Sequence, residues 1–312
     1  MAGGHLPEGF RSDFLECNGV KLHVVHNGRA YDGAPIGDGR RPLLCLHGFP
    51  EFWICWEEVA RCLGDDYLLV LPDQRGCNLS EAPADAEQYT AKVLVADVVE
   101  LAGRMFGRRK FYLAGHDFGA SVAYALVFSL PRAVERLVIV NGAHPVCLQE
   151  ALIDDPAQVA ASEYFHTVRR DGAGERAAAD DFRESFAGLE RHSRHPWITD
   201  EVKQRFREAW QGPERLDAMF NWYRSSPIVV PVAGEPPPEA PLYGAPADAF
   251  RVTVPHLLVW GLDDSALLPG ARKRLPEFCD ELTVREVPGA DHWILHTHAE
   301  QVAGFVREFL GS

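Results

Sequence analysis

No stretch of this chain approaches ~18 consecutive apolar residues, so nothing in it reads as a membrane span. Its seven cysteines, Cys17, Cys45, Cys55, Cys62, Cys77, Cys147 and Cys279, are odd in number and form no CxxC pair. That excludes a disulfide framework and makes reduced core thiols in a cytoplasmic protein the expectation. Neither HExxH nor a Cys/His cluster at ligand spacing occurs among the 13 histidines, so no metal is expected. Basic residues are the scarcer sign, 31 Lys+Arg against 45 Asp+Glu, for a formal charge of −14. This balance excludes a phosphate backbone as ligand and gives no help to anionic substrates. The opening Met1–Glu8 has neither a basic nor an apolar leader region, so no secretory signal is expected.

What is present is an ordinary globular composition of 312 residues, 46% apolar and 24% charged. Short apolar runs at 22–25, 43–46, 67–71, 111–114 and 137–140 read as strands, and 67–71 is bounded by Asp and Pro as a buried parallel strand should be. Helical spacing over 93–106 and 120–129 alternates with them, so a mostly parallel sheet flanked by helices is expected. From residue 143 the pattern turns helical, at 156–170, 176–191, 199–210 and 215–222, and closes in a Pro-rich loop over 227–246. Strand–helix alternation then resumes with strands at 256–260 and 282–287 and a helix from 299 to 310. The division expected is a core of 1–142 and 253–312 with a helical cap, 143–252, inserted over the carboxyl ends of the strands, where open parallel sheets place their ligands.

The most informative residues are Leu113-Ala114-Gly115-His116-Asp117-Phe118-Gly119-Ala120. A strand, a Gly-x-Asp-x-Gly turn and a helix form a nucleophile elbow with Asp where hydrolases usually have Ser. A plain turn with Asp as helix N-cap would look the same in isolation. Two later segments weigh against that. Trp260-Gly261-Leu262-Asp263-Asp264 sets an acid after a strand, and Gly289-Ala290-Asp291-His292-Trp293 sets a histidine after the next one. The order Asp117, Asp264, His292 is the nucleophile–acid–base order of the α/β-hydrolase triad. Asp263 competes for the acid role, and the spacing from Gly261 favours Asp264.

A carboxylate is ionised at neutral pH without a base, with a reference pKa of ~3.9, and it can displace a leaving group from saturated carbon. The resulting ester on Asp117 would be hydrolysed by water activated by His292 and oriented by Asp264. The oxyanion formed then needs two backbone N–H donors, for which Phe118 and Phe49 are candidates.

At this point the chain resembles epoxide hydrolases of the α/β-hydrolase fold. The resemblance rests on His47-Gly48-Phe49-Pro50-Glu51 with Trp53 and Trp56, on Asp73-Gln74-Arg75-Gly76-Cys77-Asn78-Leu79-Ser80, on Asn141-Gly142-Ala143-His144-Pro145, and on Asn221-Trp222-Tyr223-Arg224. It implies two cap tyrosines that protonate the leaving alkoxide, and these match Tyr223 and Tyr164. Phe118 stands where the family usually has Trp, Ala143 where it has Pro, and Cys77 where it commonly has Tyr.

The reaction so implied is cofactor-free: an apolar or aromatic epoxide and water give a vicinal diol. Trp53, Phe165, Phe220, Trp222 and Trp293 are the expected substrate-binding aromatics. A homodimer is the one macromolecular association left open. Haloalkane and haloacetate dehalogenases share the Asp nucleophile and are the nearest rivals, followed by a non-catalytic ligand-binding scaffold. A serine-type esterase is excluded by Asp117.

Overall fold

The computed structural model describes residues 6–232, 234–236 and 238–311. Eight strands form one sheet: β1 (Arg11–Cys17), β2 (Val20–His26), β3 (Arg41–Leu46), β4 (Tyr67–Pro72), β5 (Phe111–His116), β6 (Val134–Val140), β7 (His256–Gly261) and β8 (Leu282–Val287). Their order is β1-β2-β4-β3-β5-β6-β7-β8. The β1/β2 and β2/β4 pairs are antiparallel, and all pairs from β4/β3 to β7/β8 are parallel.

Strands β4, β5 and β7 are buried along their whole length, which is why they read as unbroken apolar runs. Strand β1 was not expected. Its polar Arg-Ser-Asp start suits a sheet edge, and its partner is fixed by an Asn18-Gly19 turn with φ of 49° and 77°. That Asn-Gly pair was the legible signal. Helices α1 (Glu57–Leu63), α2 (Ala91–Phe106) and α3 (Phe118–Ser129) follow β3, β4 and β5.

Between β6 and β7 lies a helical block of α4 (Pro145–Asp154), α5 (Pro156–Ala161), α6 (Tyr164–Val168), α7 (Ala173–Arg191), α8 (Asp200–Trp210) and α9 (Pro213–Arg224). The single helix expected over 156–170 is two. Helix α5 tightens at Ser162, whose N–H reaches the carbonyls of both Gln158 and Val159, and α6 starts afresh at Tyr164. Helix α7 begins three residues earlier than its pattern indicated and breaks at Ala179–Phe182, where three successive residues have positive φ. Phe182 packs on Trp210 with tilted rings and Asp181 pairs with Arg207 there, so contacts to α8 offset the local strain.

The entrance and exit of the block are tied by His144, whose Nε2 lies 2.9 Å from the Phe250 carbonyl. After β8, α10 (Ile294–Thr297) and α11 (Ala299–Leu310) complete the chain, with α11 packed on α1. Among the described residues, no helix is long and apolar enough to cross a membrane.

Candidate active site

Because β3, β5, β6, β7 and β8 run parallel, the segments that leave their carboxyl ends meet at one edge of the sheet. These segments begin at His47, Asp117, Asn141, Leu262 and Pro288. Asp117 occupies the β5–α3 turn with φ 49° and ψ −119°, a conformation that a non-glycine residue holds only when its surroundings impose it. Here they do. Its N–H donates to the Asn141 carbonyl at 3.1 Å, and its carbonyl accepts from Ala120 N–H. Gly119 lets helix α3 approach β3, since a Cβ there would collide with the Leu46 and His47 carbonyls. At Gly48 a Cβ would strike the Asp117 side chain itself.

The Asp117 carboxylate is 15% exposed and held from two sides. Its Oδ1 accepts the Phe49 N–H at 2.8 Å, and its Oδ2 lies 3.6 Å from His292 Nε2. Phe118 is the first residue of α3, so its N–H falls outside the helix's own ladder. Beneath Phe49, the Gln74 N–H donates to His47 Nε2 and the Gln74 side chain donates to the His47 carbonyl. These bonds fix the loop from below.

His292 Nδ1 lies 2.8 Å from Asp264 Oδ2, while Asp264 Oδ1 accepts the N–H groups of Ala266 and Leu267. Asp263 instead turns to the surface, where it pairs with Arg194 at 3.2 Å. Burial works against a charged imidazole at His292. The Asp264 and Asp117 carboxylates overcome it and hold His292 well above the usual histidine range. Burial likewise works against a charged Asp117, but His292 opposes it and keeps this carboxyl below the usual range. An ionised carboxylate thus faces an imidazole already oriented by a second carboxylate.

Two phenols come from the helical block. The rings of Tyr164 on α6 and Tyr223 on α9 are 5.7 Å apart and nearly perpendicular. Burial, reinforced by the Asp117 charge, raises both above the ordinary tyrosine value, so both remain protonated donors at neutral pH. Phe49, Phe118 and Phe165 pack around Tyr223 at 4.7–5.4 Å between ring centres.

A cavity of about 870 Å³ joins the two halves, and Asp117, His292, Phe49, Tyr164, Phe220 and Trp293 all line it. Tyr223, Phe118 and Phe165 form the layer behind that wall. Phe165 is thus one of three aromatics expected to bind substrate that do not line the cavity, and the other two lie elsewhere. Trp53 sits under the Arg205 guanidinium with its backbone N–H on Asp73, and Trp222 donates its indole N–H to the Arg75 carbonyl. Both are large apolar residues next to motif segments, and sequence spacing cannot separate packing from lining at such positions.

Several residues at the site have no role assigned from the sequence. Asn141 joins three strand ends: its carbonyl accepts from Asp117, its Oδ1 from the Gly261 N–H, and its Nδ2 donates to the Asp291 carbonyl. His192, at the end of α7, lines the cavity with its ring centre 6.4 Å from that of His292. Burial, with the His292 charge, lowers His192 to about 4. Glu51, Cys55 and His116 are one buried group whose ligand-type atoms lie within 4.8 Å of one another. Burial drives the Cys55 thiol well above its ordinary pKa, which makes it a poor thiolate ligand for a metal.

A family model described as alpha/beta hydrolase fold matches residues 41–299. The AB hydrolase superfamily protein YfhM of Bacillus subtilis (strain 168) is 31% identical over 307 residues, covering 97% of this chain and 99% of that protein. Epoxide hydrolase 4 of Mus musculus is 26% identical over 307 residues, covering 95% of this chain and 78% of that one. Among solved structures, one of novel epoxide hydrolases belonging to the alpha/beta hydrolases superfamily, from metagenomes of hot environments, is 30% identical with a TM-score of 0.81. It covers 97% of this chain and 99% of its own. Family model, relatives and strand-end geometry agree, and the chain belongs to the α/β-hydrolase fold family.

Proposed function

We infer that this protein is an epoxide hydrolase that works through an ester on Asp117, with residues 143–252 acting as a cap over the core formed by 1–142 and 253–312. The observation that carries this reading is the meeting of one ionised carboxylate with two buried, protonated phenols, Tyr164 on the wall of the shared cavity and Tyr223 in the layer directly behind it. Asp117 attacks an epoxide carbon, the carbon–oxygen bond breaks, and Tyr164 and Tyr223 donate to the alkoxide, which is too basic to leave unassisted. The ester then replaces the Asp117 charge, and the phenolate left by the donated proton takes one back from the His292 imidazolium, which frees that imidazole to act as a base. His292, held by Asp264, deprotonates a water that attacks the ester carbonyl, and the Phe49 and Phe118 N–H groups receive the oxyanion. The diol leaves, one water is consumed, and no cofactor is needed for the balance.

The cavity volume falls in the range of drug-sized ligands, roughly 300–1,000 Å³, which suits an apolar or aromatic epoxide. Halide chemistry is less well served. A halide ion needs unoccupied N–H donors, yet the cavity-lining Trp293 gives its indole N–H to the Leu189 carbonyl. Phe118 and Ser121 stand where a haloacetate enzyme needs arginines for the substrate carboxylate. One panel separates these readings: diol from styrene oxide measured beside halide release from haloalkanes and haloacetates. Diol formation alone is expected. Halide release without diol would overturn the assignment, and the absence of both would favour a ligand-binding scaffold.

A further inference from the structure

The loop that carries Asp264 is held at each of residues 265–268, and three of the five bonds that hold it come from the cap. Gln158 on α5 is fully buried, donates from Nε2 to the Ala266 carbonyl at 2.9 Å, and accepts the Leu268 N–H on Oε1 at 2.8 Å. His192 Nδ1 lies 2.9 Å from Ser265 Oγ. Asp264 Oδ1 takes two further N–H groups, of Ala266 and Leu267. The bonds interleave along 265–268, so the carboxylate rests on a loop whose other contacts belong to α5 and α7.

We propose that Gln158 and His192 are positioning residues for the hydrolytic half-reaction, clasping residues 265–268 to the cap so that Asp264 stays on His292. This rests on the epoxide hydrolase reading. The clasp matters unequally to the two steps. In the first, Asp117 attacks as an anion and needs no base. In the second, Asp117 is an uncharged ester, and Asp264 is the one carboxylate left against the His292 ring. The other titratable groups that face this ring are His116, on β5 with ring centres 5.1 Å apart, and His192 itself. Neither supplies negative charge. Freeing the loop therefore weakens the base in the step that uses it.

The test uses the full chain and the variants Gln158→Met, Ser265→Ala, His192→Leu and His192→Gln, with thermal unfolding measured for each. Ser265→Ala cuts the clasp from the core side without touching a cap residue. Styrene oxide in stopped flow separates ester formation from ester hydrolysis, and NMR titration of the His292 ring reads its pKa without any epoxide. Ester formation is expected to stay within about twofold of the parent. Hydrolysis is expected to fall about tenfold in Gln158→Met and about fivefold in His192→Leu and Ser265→Ala, a part of the 10²–10⁴-fold that a positioned base supplies. The His192→Gln amide, which can still bond Ser265, should recover most of the loss. The His292 pKa should drop in the three damaging variants. Equal slowing of both steps with an unchanged His292 titration would mean a merely structural role and overturn the clasp, as would no change at all. If the parent forms no ester from styrene oxide, the epoxide reading fails on its own, and the His292 titration still decides whether the clasp exists.

Discussion

The two walls of the cavity are built on different physical terms. On the sheet side, Asp117 and His292 are charged groups in contact with each other, at 3.6 Å, Asp117 anchored by the Phe49 N–H and the His292 ring by the Asp264 carboxylate. On the cap side, Tyr164 on the wall and Tyr223 directly behind it are neutral donors held by aromatic packing. On the proposed ester mechanism, the difference assigns the work. Charge that must exist before the substrate arrives sits where N–H groups and a second carboxylate stabilise it, and the proton donors sit where burial keeps them un-ionised.

The largest expected effects are on the sheet side. In Asp117→Ala no ester should form and turnover should fall to the detection limit. In His292→Gln ester formation should survive while its hydrolysis stalls, so mass spectrometry should find Asp117 carrying the mass of the epoxide. An ester-free His292 variant with intact folding would break the division of labour.

Next come the cap phenols. Tyr223→Phe and Tyr164→Phe each remove one O–H and keep the ring, so each should cost roughly 10- to 100-fold in epoxide turnover, and the double change nearly all of it. Steady-state rates on styrene oxide check this. Full activity in both single variants would make the tyrosines packing residues and erase the contrast between the walls.

The smallest effect expected is on stability, at the seam between core and cap. Burial lowers His144 to about 4 and His256, at the start of β7, to about 3. Both values lie below the ~6.5 of an unfolded histidine, so the unfolded chain binds protons first as pH falls. Their contribution is fully present above pH ~6.5 and is lost as pH falls toward 4 and 3, with about 1–2 kcal/mol lost per histidine by pH 5. Urea unfolding at pH 7 and pH 5 measures it. Equal stability at the two pH values would show that these rings are not held neutral by the fold.

The same contrast governs what could be read from the sequence. The sheet and its strand-end residues were legible, because a buried parallel strand writes an apolar run and Asp117 and Asp264 each follow one, while His292 follows the half-exposed edge strand β8, whose apolar residues alternate with polar ones. The cap was legible as helices but not as broken ones. The interruption at 179–182 is imposed by Trp210 and Arg207, which are distant in sequence. Gln158 and His192 left no trace either, since a polar residue on an amphipathic helix looks solvated until the loop it bonds is in place. Trp53 and Trp222 erred in the opposite direction, their indole rings being spent on packing.

The central claim is that Asp117 attacks carbon and water attacks only the ester. A single turnover in ¹⁸O-labelled water, with the enzyme in excess over styrene oxide, tests it directly. The account predicts an unlabelled first-turnover diol, one of whose oxygens comes from the Asp117 carboxylate, and ¹⁸O retained in the peptide that contains Asp117. Label in the first-turnover diol, with none in that peptide, would contradict it and assign the attack to water.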